Sequence, residues 1–455
     1  MKRRAFIQTG SAVLGGSLLS PLISCKEEKM AMIEEARSNW AGNLTYAAQD
    51  FQEPQSLEVL QKLIMEEMPS KGLGTCHSFN TVADTKNRQI SLLKMPKIMQ
   101  LDTTANEVEV SAGISYGELA KYLFEQEYAL HNLASLPHIS VAGACSTGTH
   151  GSGDKNGNLS SIVRELSFIN GLGEEVVLTK GKDADFEGAV VSLGALGIIH
   201  KMKLEVLPHF DVRQDIYLDL PVEQIPDHFD EIFGMAYSTS MFTDWMNGTV
   251  NQIWLKRLVE DEGEMKAEAE LFGAKLADRD VHPIIELTAE NCTRQMGIAG
   301  PWHERLPHFK MDFTPSSGDE LQSEFFVPRK HAVEALMTIY EMGEEIYPHL
   351  FISEIRSIAA DDLWISPFYQ EDRLAIHFTW KPHGPEVMKL IPIIEEKLKP
   401  FNVRPHWGKL FTVDESYLSS SYSEMERFRS LIEKHDPQRK FSNAFLERNI
   451  YAGEV

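Results

Sequence analysis

Between residues 140 and 153 the chain reads Ser140-Val141-Ala142-Gly143-Ala144-Cys145-Ser146-Thr147-Gly148-Thr149-His150-Gly151-Ser152-Gly153, with His150 the only bulky side chain. Such a run supplies little core of its own and lets backbone come close to whatever lies beside it. A second turn of the same kind runs Gly72-Leu73-Gly74-Thr75-Cys76-His77-Ser78-Phe79-Asn80. Both turns offer consecutive backbone N–H groups, which suit a diphosphate. Glycine-rich loops are also plain turns, and the pattern alone leaves both readings open. No GxGxxG and no GxxxxGK[ST] occurs, so neither a Rossmann nor a Walker reading has support.

Around these turns the periodicity is mixed. Ser56 opens a helical stretch in which Leu57, Leu60, Leu63, Ile64 and Met68 recur at three- and four-residue steps. Val108-Glu109-Val110 alternates as a strand, and residues 119–123 start another amphipathic helix. Strand-like runs at 165–170 and 175–179 flank the turn Gly171-Leu172-Gly173, and residues 193–207 pass from a glycine turn into alternating apolar residues. Regular strand–helix alternation is missing, so the class is α+β rather than a doubly wound sheet. After about Pro208 tryptophan and histidine become frequent and longer helical patterns appear at 333–346 and 386–398, which places a second domain there.

The start of the chain reads differently. Lys2, Arg3 and Arg4 precede an uncharged, largely apolar run to Ser24, interrupted by Gly10, Gly15, Gly16 and Pro21. A basic n-region before a short apolar segment describes an export signal rather than a membrane span. Arg3-Arg4-Ala5-Phe6-Ile7-Gln8 resembles a twin-arginine signal, and Leu22-Ile23-Ser24-Cys25 resembles the lipobox of bacterial lipoproteins. The expectation is an exported chain, periplasmic or held at a membrane only through lipid on Cys25, with residues 26–38 as a tether. Acidic residues outnumber basic ones 67 to 44, for a net charge of -23, which disfavours nucleic acid as a partner. Cys76, Cys145 and Cys292 remain, too few for a closed disulfide framework and without metal spacing, so no metal site is expected.

A histidine inside a glycine turn has two readings. Neutral imidazole is nucleophilic enough to add to the 8-methyl carbon of a flavin, and it also serves to hydrogen-bond loop backbone. At this point the chain resembles the vanillyl-alcohol-oxidase / p-cresol-methylhydroxylase (PCMH-type) flavoproteins, and within them the alditol oxidases, with the aldonolactone oxidases close by. The matching segments run in order: His77-Ser78-Phe79-Asn80, Ala134 to Gly143, Thr147 to Gly153, Ser192-Leu193-Gly194-Ala195-Leu196-Gly197, Gly300-Pro301-Trp302-His303-Glu304-Arg305, Glu354-Ile355-Arg356, His377-Phe378-Thr379-Trp380 and Arg404 to Lys409. The resemblance as a whole runs from Asn39 to Phe445.

The resemblance implies an α+β, two-domain PCMH-type fold: an FAD-binding domain over 39–208, a substrate (cap) domain over 209–407, and a segment 408–455 returning to the first. It implies FAD wrapped by Gly72, Leu73, Gly74, Thr75, Cys76, His77 and Ser78 and bonded covalently through His77. Ser135, Ser140, Gly143, Thr147, Gly148, Thr149 and His150 would line the cofactor, with Ile198 toward the adenine and His406 approaching from the second domain. Ser135, Glu354, Arg356, Thr379 and Lys409 would line a polyol site. The family usually has glycine where Cys76 stands, and Ala134 falls where its access to O2 is controlled.

The residue chemistry points the same way. Two-apart residues on a strand share a face, so Glu354 with Arg356, and His377 with Thr379, present donors and acceptors suited to a row of hydroxyls. For an arbitrary Glu-x-Arg the competing reading is a surface salt bridge. The expected reaction is oxidation of a primary alcohol of a polyol to the aldose, with Arg356 and Lys409 as catalytic groups that stabilise the alkoxide, Lys409 accepting the proton, and O2 reoxidising the flavin to give peroxide. An aldonolactone oxidase or dehydrogenase is the alternative within the same fold. A lipoprotein that binds carbohydrate without catalysis is the alternative from another class. Trp302-His303-Glu304-Arg305 is read as structural.

Overall fold

In the computed structural model, which describes residues 37–259, 267–311 and 320–451, the sequence periods become elements close to where they were read. Ser56 caps the helix Leu57–Met65, its hydroxyl accepting from the Val59 N–H, and Leu60 and Ile64 are turned inward. Helix Tyr116–Glu125 opens on a reciprocal capping box between Ser115 and Glu118. The proposed signal and tether, residues 1–36 and with them Cys25, lie outside the described residues.

The first half carries two sheets. A small parallel one places Arg88–Ser91 between Asp50–Gln52 and Ser70–Leu73. A five-stranded antiparallel one runs Met99–Asp102, Glu107–Ser111, Gly197–Glu205, Val163–Asn170, Glu175–Thr179. Val108 and Val110 alternate with half-exposed neighbours, as expected where only one face meets the core. Gly197 has φ +157, and a Cβ there would run into the Ile169 carbonyl, so the residue must be glycine for its strand to pair.

From Asp211 onward the chain builds a ten-stranded sheet, antiparallel throughout among the described residues, in which Ser238–Thr243, Leu350–Ile358, Arg373–Trp380 and Leu321–Pro328 lie side by side. One face carries Phe325, Val327, Ile355, Ile376, Phe378 and Trp380, covered by helices Ala332–Tyr340 and Gly384–Leu398. The opposite face carries the alternate residues and looks toward the glycine turns. These strands are buried on both sides, so hydrophobic alternation is replaced by alternation between apolar and charged buried residues.

The helical pattern at 333–346 forms two pieces, Ala332–Tyr340 and Gly343–Ile346. The break has a local cause: at Gly343 a Cβ would collide with the Trp245 carbonyl, so the chain turns to pass beneath it. Helices Met425–His435 and Ala444–Asn449 end the described chain. Around them Ser70 N–H donates to the Lys440 carbonyl (2.8 Å), and Asn443 Nδ2 donates to the carbonyls of Thr81, Val82 and Asp84. Residues 37–451 thus form one body. No helix among the described residues is long and apolar enough to cross a membrane.

Candidate active site

A cleft of about 510 Å³ lies between the two glycine turns and the charged face of the large sheet. Gly72, Leu73, Gly74, Thr75, Cys76, His77 and Ser78 line one wall; Ser135, Ser140, Gly143, Thr147, Thr149, His150 and Ile198 line another. The turns are stitched together: the Ser140 N–H donates to Thr75 Oγ1 (3.0 Å), which is 3.1 Å from His77 Nδ1. Glycine is needed for closeness here. A Cβ on Gly74 would come within 2.6 Å of Ser140 Oγ, and one on Gly143 within 2.7 Å of the same atom. Backbone therefore forms the floor, which is the cradle a dinucleotide's diphosphate requires, and FAD fits these residues.

The His77 ring stacks on Trp40 at 5.6 Å and 20°. Burial, with a smaller push from His138, takes its pKa down to about 4, so the imidazole is neutral at pH 7. Cys76 holds φ +63, in the left-handed region. That conformation favours glycine, and a side chain there costs about 1 kcal/mol. Beneath the turn, buried Lys71 donates to the carbonyls of Leu193 (3.0 Å), Gly194 (3.1 Å) and Phe441 (3.2 Å), tying both ends of the chain to the cleft floor.

One expected cofactor residue falls elsewhere. Gly148 does not line the cleft. It has φ +67 and lies against Pro367, whose Cδ would be 3.0 Å from a Cβ. Its glycine serves a turn and a close packing contact.

The sheet face is a grid. Gln322, Thr379 and Ile352 form one row across three strands; Glu324, His377, Glu354 and Phe242 form the next; Phe326, Ala375, Arg356 and Ser240 the third. The strands thereby bring Glu354, Arg356, Thr379 and His377 to one wall, and Lys409 reaches it from the loop after Arg404–Pro405. Arg356 Nε lies 3.6 Å from Glu354 Oε1, and His377 Nε2 is 3.1 Å from Thr379 Oγ1.

The organising residue is one that sequence reasoning passed over. Glu324, fully enclosed, accepts from Arg356 Nη2 (2.7 Å) and Lys409 Nζ (2.6 Å), with His150 Nε2 at 3.2 Å. Lys409 Nζ also donates to His377 Nδ1 (2.8 Å). The available signal was alternation: Gln322 and Glu324 stand two apart in the strand Leu321–Pro328, as Glu354 and Arg356 do in theirs.

The charges tune one another. Burial opposes ionisation of Glu324, but Lys409 and Arg356 outweigh it and hold the carboxyl well below its usual range. Glu354 is held low in the same way by Arg356 and His308. Burial, reinforced by Arg356 and opposed by Glu324, lowers Lys409 from the ordinary lysine value. His377 is pushed down to about 4, first by burial and then by Lys409. His406 is buried beside them and, through Nδ1, accepts from the Gly408 N–H (3.0 Å). His150, Glu324 and His406 stand close enough together to suggest a metal. The Glu324 oxygens are, however, occupied by two cations, which disfavours a third positive charge there.

Trp302 and Arg305 lie away from this wall: Trp302 is fully buried, and Arg305 donates to the carbonyls of Ile298, Ala299 and Glu304.

Residues 55–179 match the FAD binding domain family, and residues 316–449 match the D-arabinono-1,4-lactone oxidase family. An alditol oxidase from Streptomyces sp. is 41% identical over 90% of this chain and 98% of its own length. An L-gulono-1,4-lactone dehydrogenase from Mycobacterium tuberculosis is 26% identical over 90% of this chain and 98% of its own. Among solved structures, a cholesterol oxidase from Brevibacterium sterolicum superimposes with a TM-score of 0.75 at 14% identity, covering 91% of this chain and 96% of that one; it bears on the fold alone. The fold is α+β, an FAD-binding portion joined to a second, sheet-built portion, as the sequence resemblance implied. The chain is an FAD-dependent oxidoreductase belonging to the family that holds the alditol oxidase and the aldonolactone oxidases.

Proposed function

We propose that the protein oxidises a primary alcohol of an open-chain polyol, an alditol such as xylitol or sorbitol, to the aldose. The observation that carries this reading is the wall Glu354–Arg356–Glu324–Lys409, its first three members buried and Lys409 half-buried, facing the cofactor cleft. Alternating donors and acceptors match successive hydroxyls, each of which both gives and takes a hydrogen bond. Bound FAD supplies the acceptor for the hydride leaving the carbinol carbon.

The chain's own groups do the rest. Arg356, fixed by Glu324, presents positive charge where the alkoxide develops. Lys409, with its pKa lowered, takes the hydroxyl proton in its neutral form. Glu354 accepts from a neighbouring substrate hydroxyl, while Thr379 and Ser135 bound the pocket. Gly72 to Ser78, with Ser140, Gly143, Thr147, Thr149, His150, Ile198 and His406, hold FAD. His77 carries it covalently, a reading supported by a neutral imidazole in the cleft whose ring is fixed by Trp40 and Thr75. O2 reoxidises the flavin, and the chain is exported and held at a membrane through lipid on Cys25. These two rest on the relatives' chemistry and on the N-terminal sequence.

Purified enzyme offered xylitol, sorbitol, L-gulono-1,4-lactone and D-arabinono-1,4-lactone tests the substrate class. Turnover of the lactones without the alditols would establish the aldonolactone reading instead, which the second family match keeps in play. Acid precipitation tests the linkage: yellow colour should stay in the pellet and leave it in His77→Ala.

A further inference from the structure

Behind the substrate wall, outside the cleft, lies a lysine that none of the steps above uses. Lys256, in strand Thr249–Leu258, is 1 % exposed. Among the described residues no carboxylate lies within ion-pair distance of it; Nζ donates to the carbonyls of Leu306 (2.5 Å) and Pro307 (3.3 Å) and meets His308 Nδ1 at 3.2 Å. His308 Nε2 in turn stands 2.7 Å from Glu354 Oε1.

We propose that Lys256 and His308 are positioning residues that set the orientation and charge of Glu354 and leave its second oxygen for one substrate hydroxyl. The inference rests on the reading of Glu354 as a polyol-binding residue. The Glu354 carboxylate has acceptors only, so the ring proton of His308 sits on Nε2, pointing at Glu354, and Nδ1 offers its lone pair to Lys256 Nζ. The ring cannot turn away: Phe242 packs against it edge-on at 5.4 Å and 74°, Trp254 at 5.3 Å and 86°, and Thr293 N–H holds the His308 carbonyl (2.9 Å). Burial and Lys256 hold His308 down to about 4, so it stays neutral and donates one hydrogen bond without adding charge.

Glu354 is therefore gripped on Oε1 by His308, with Arg356 Nε also nearest that atom at 3.6 Å. Its other oxygen, Oε2, makes no side-chain hydrogen bond among the described residues and remains to accept from substrate. The titratable and charged groups facing Glu354 are Arg356 on its own strand, His377 on the adjacent strand, His308, and Lys256 and Lys409 farther off. Removing the His308 donor leaves a buried carboxylate with fewer hydrogen bonds, so its pKa rises and it becomes a poorer acceptor.

The test uses flavin-loaded enzyme carrying His308→Phe, His308→Gln, Lys256→Met or Glu354→Gln, with KM, kcat and the pH profile of kcat/KM for an alditol. His308→Phe and Lys256→Met are expected to raise KM about tenfold or more and to move the acidic limb of the profile upward. In His308→Gln an amide N–H can replace the donor and its carbonyl the acceptor, so KM is expected to return to within about threefold of the parent. Unchanged KM and an unmoved acidic limb in His308→Phe, alongside a raised KM in Glu354→Gln, would overturn the inference and leave the substrate reading standing. Unchanged KM in Glu354→Gln would instead remove the substrate reading. Should the two disruptive variants fail to fold, histidine-selective 15N NMR of the parent decides. A His308 protonated on Nε2 alone supports the inference, and one protonated on Nδ1 overturns it.

Discussion

Glu324→Gln is the perturbation that most directly probes the wall, because one enclosed carboxylate serves two cations. It accepts from Arg356 at 2.7 Å and from Lys409 at 2.6 Å, with no exposure of its side chain. At an effective dielectric of about 20, each such pair is worth about 4 kcal/mol of Coulomb attraction before desolvation is set against it. Arg356 keeps a second anion in Glu354 at 3.6 Å; Lys409 keeps only neutral His377 within hydrogen-bond reach. The loss therefore falls mainly on Lys409. Removal of one partner from a buried pair costs about 3–5 kcal/mol of stability. With its anion gone Lys409 is lowered further from the ordinary lysine value, and Arg356 loses the contact that aims it. The alkoxide then meets a displaced Arg356 and a Lys409 less able to hold the proton it takes, a loss of about 10²–10³ in rate by analogy with deletion of an oxyanion donor. The assay is anaerobic flavin reduction by xylitol in a stopped-flow instrument, paired with a urea titration. A reduction rate within a factor of about three of the parent, with an unchanged urea midpoint, would refute the view that Glu324 organises the site.

Lys409→Arg keeps the positive charge but removes a group able to lose its proton near neutrality; KM should change little, the reduction rate should fall about 10²-fold or more, and the alkaline rise of kcat/KM should vanish. Cys76→Gly relieves the φ of +63, whereas Cys76→Ala does not, so the glycine variant should be the more stable of the two by about 1 kcal/mol, read from their urea midpoints. Buried His308 and His377 are each held to about 4, below the unfolded value of 6.5. The unfolded chain thus takes up protons that the fold refuses, and stability is whole above pH 6.5 and lost as pH falls toward 4, by about 3 kcal/mol for each ring. Urea midpoints that stay flat from pH 7 to pH 4.5 would contradict this.

What could be read from the sequence followed from how local each feature is. The cap at Ser56, the alternation of Val108 and Val110 and the glycine turns are set by neighbours in the chain, and they appear where expected. Glu354 with Arg356 was legible because the strand period alone puts them on one face. Gly148 misled because a glycine inside a glycine-rich turn looks the same whether it faces a cofactor or, as here, a proline more than two hundred residues away. Glu324 and Lys256 were invisible for the corresponding reason. A single acid in one strand and a buried base in another acquire meaning only through sheet register, which sets Glu324 across from His377 and His377 across from Glu354. Register is a long-range property, fixed by the packing of Phe325, Ile355 and Phe378 on the helix side. The same apolar residues that hide the sheet from water on one face therefore decide which charges meet on the other. A one-residue slip of Arg373–Trp380 would turn His377 and Thr379 toward the helices and bring Phe378 into the cleft. The specificity of the charged face is thus enforced largely from behind, by residues that never approach the substrate.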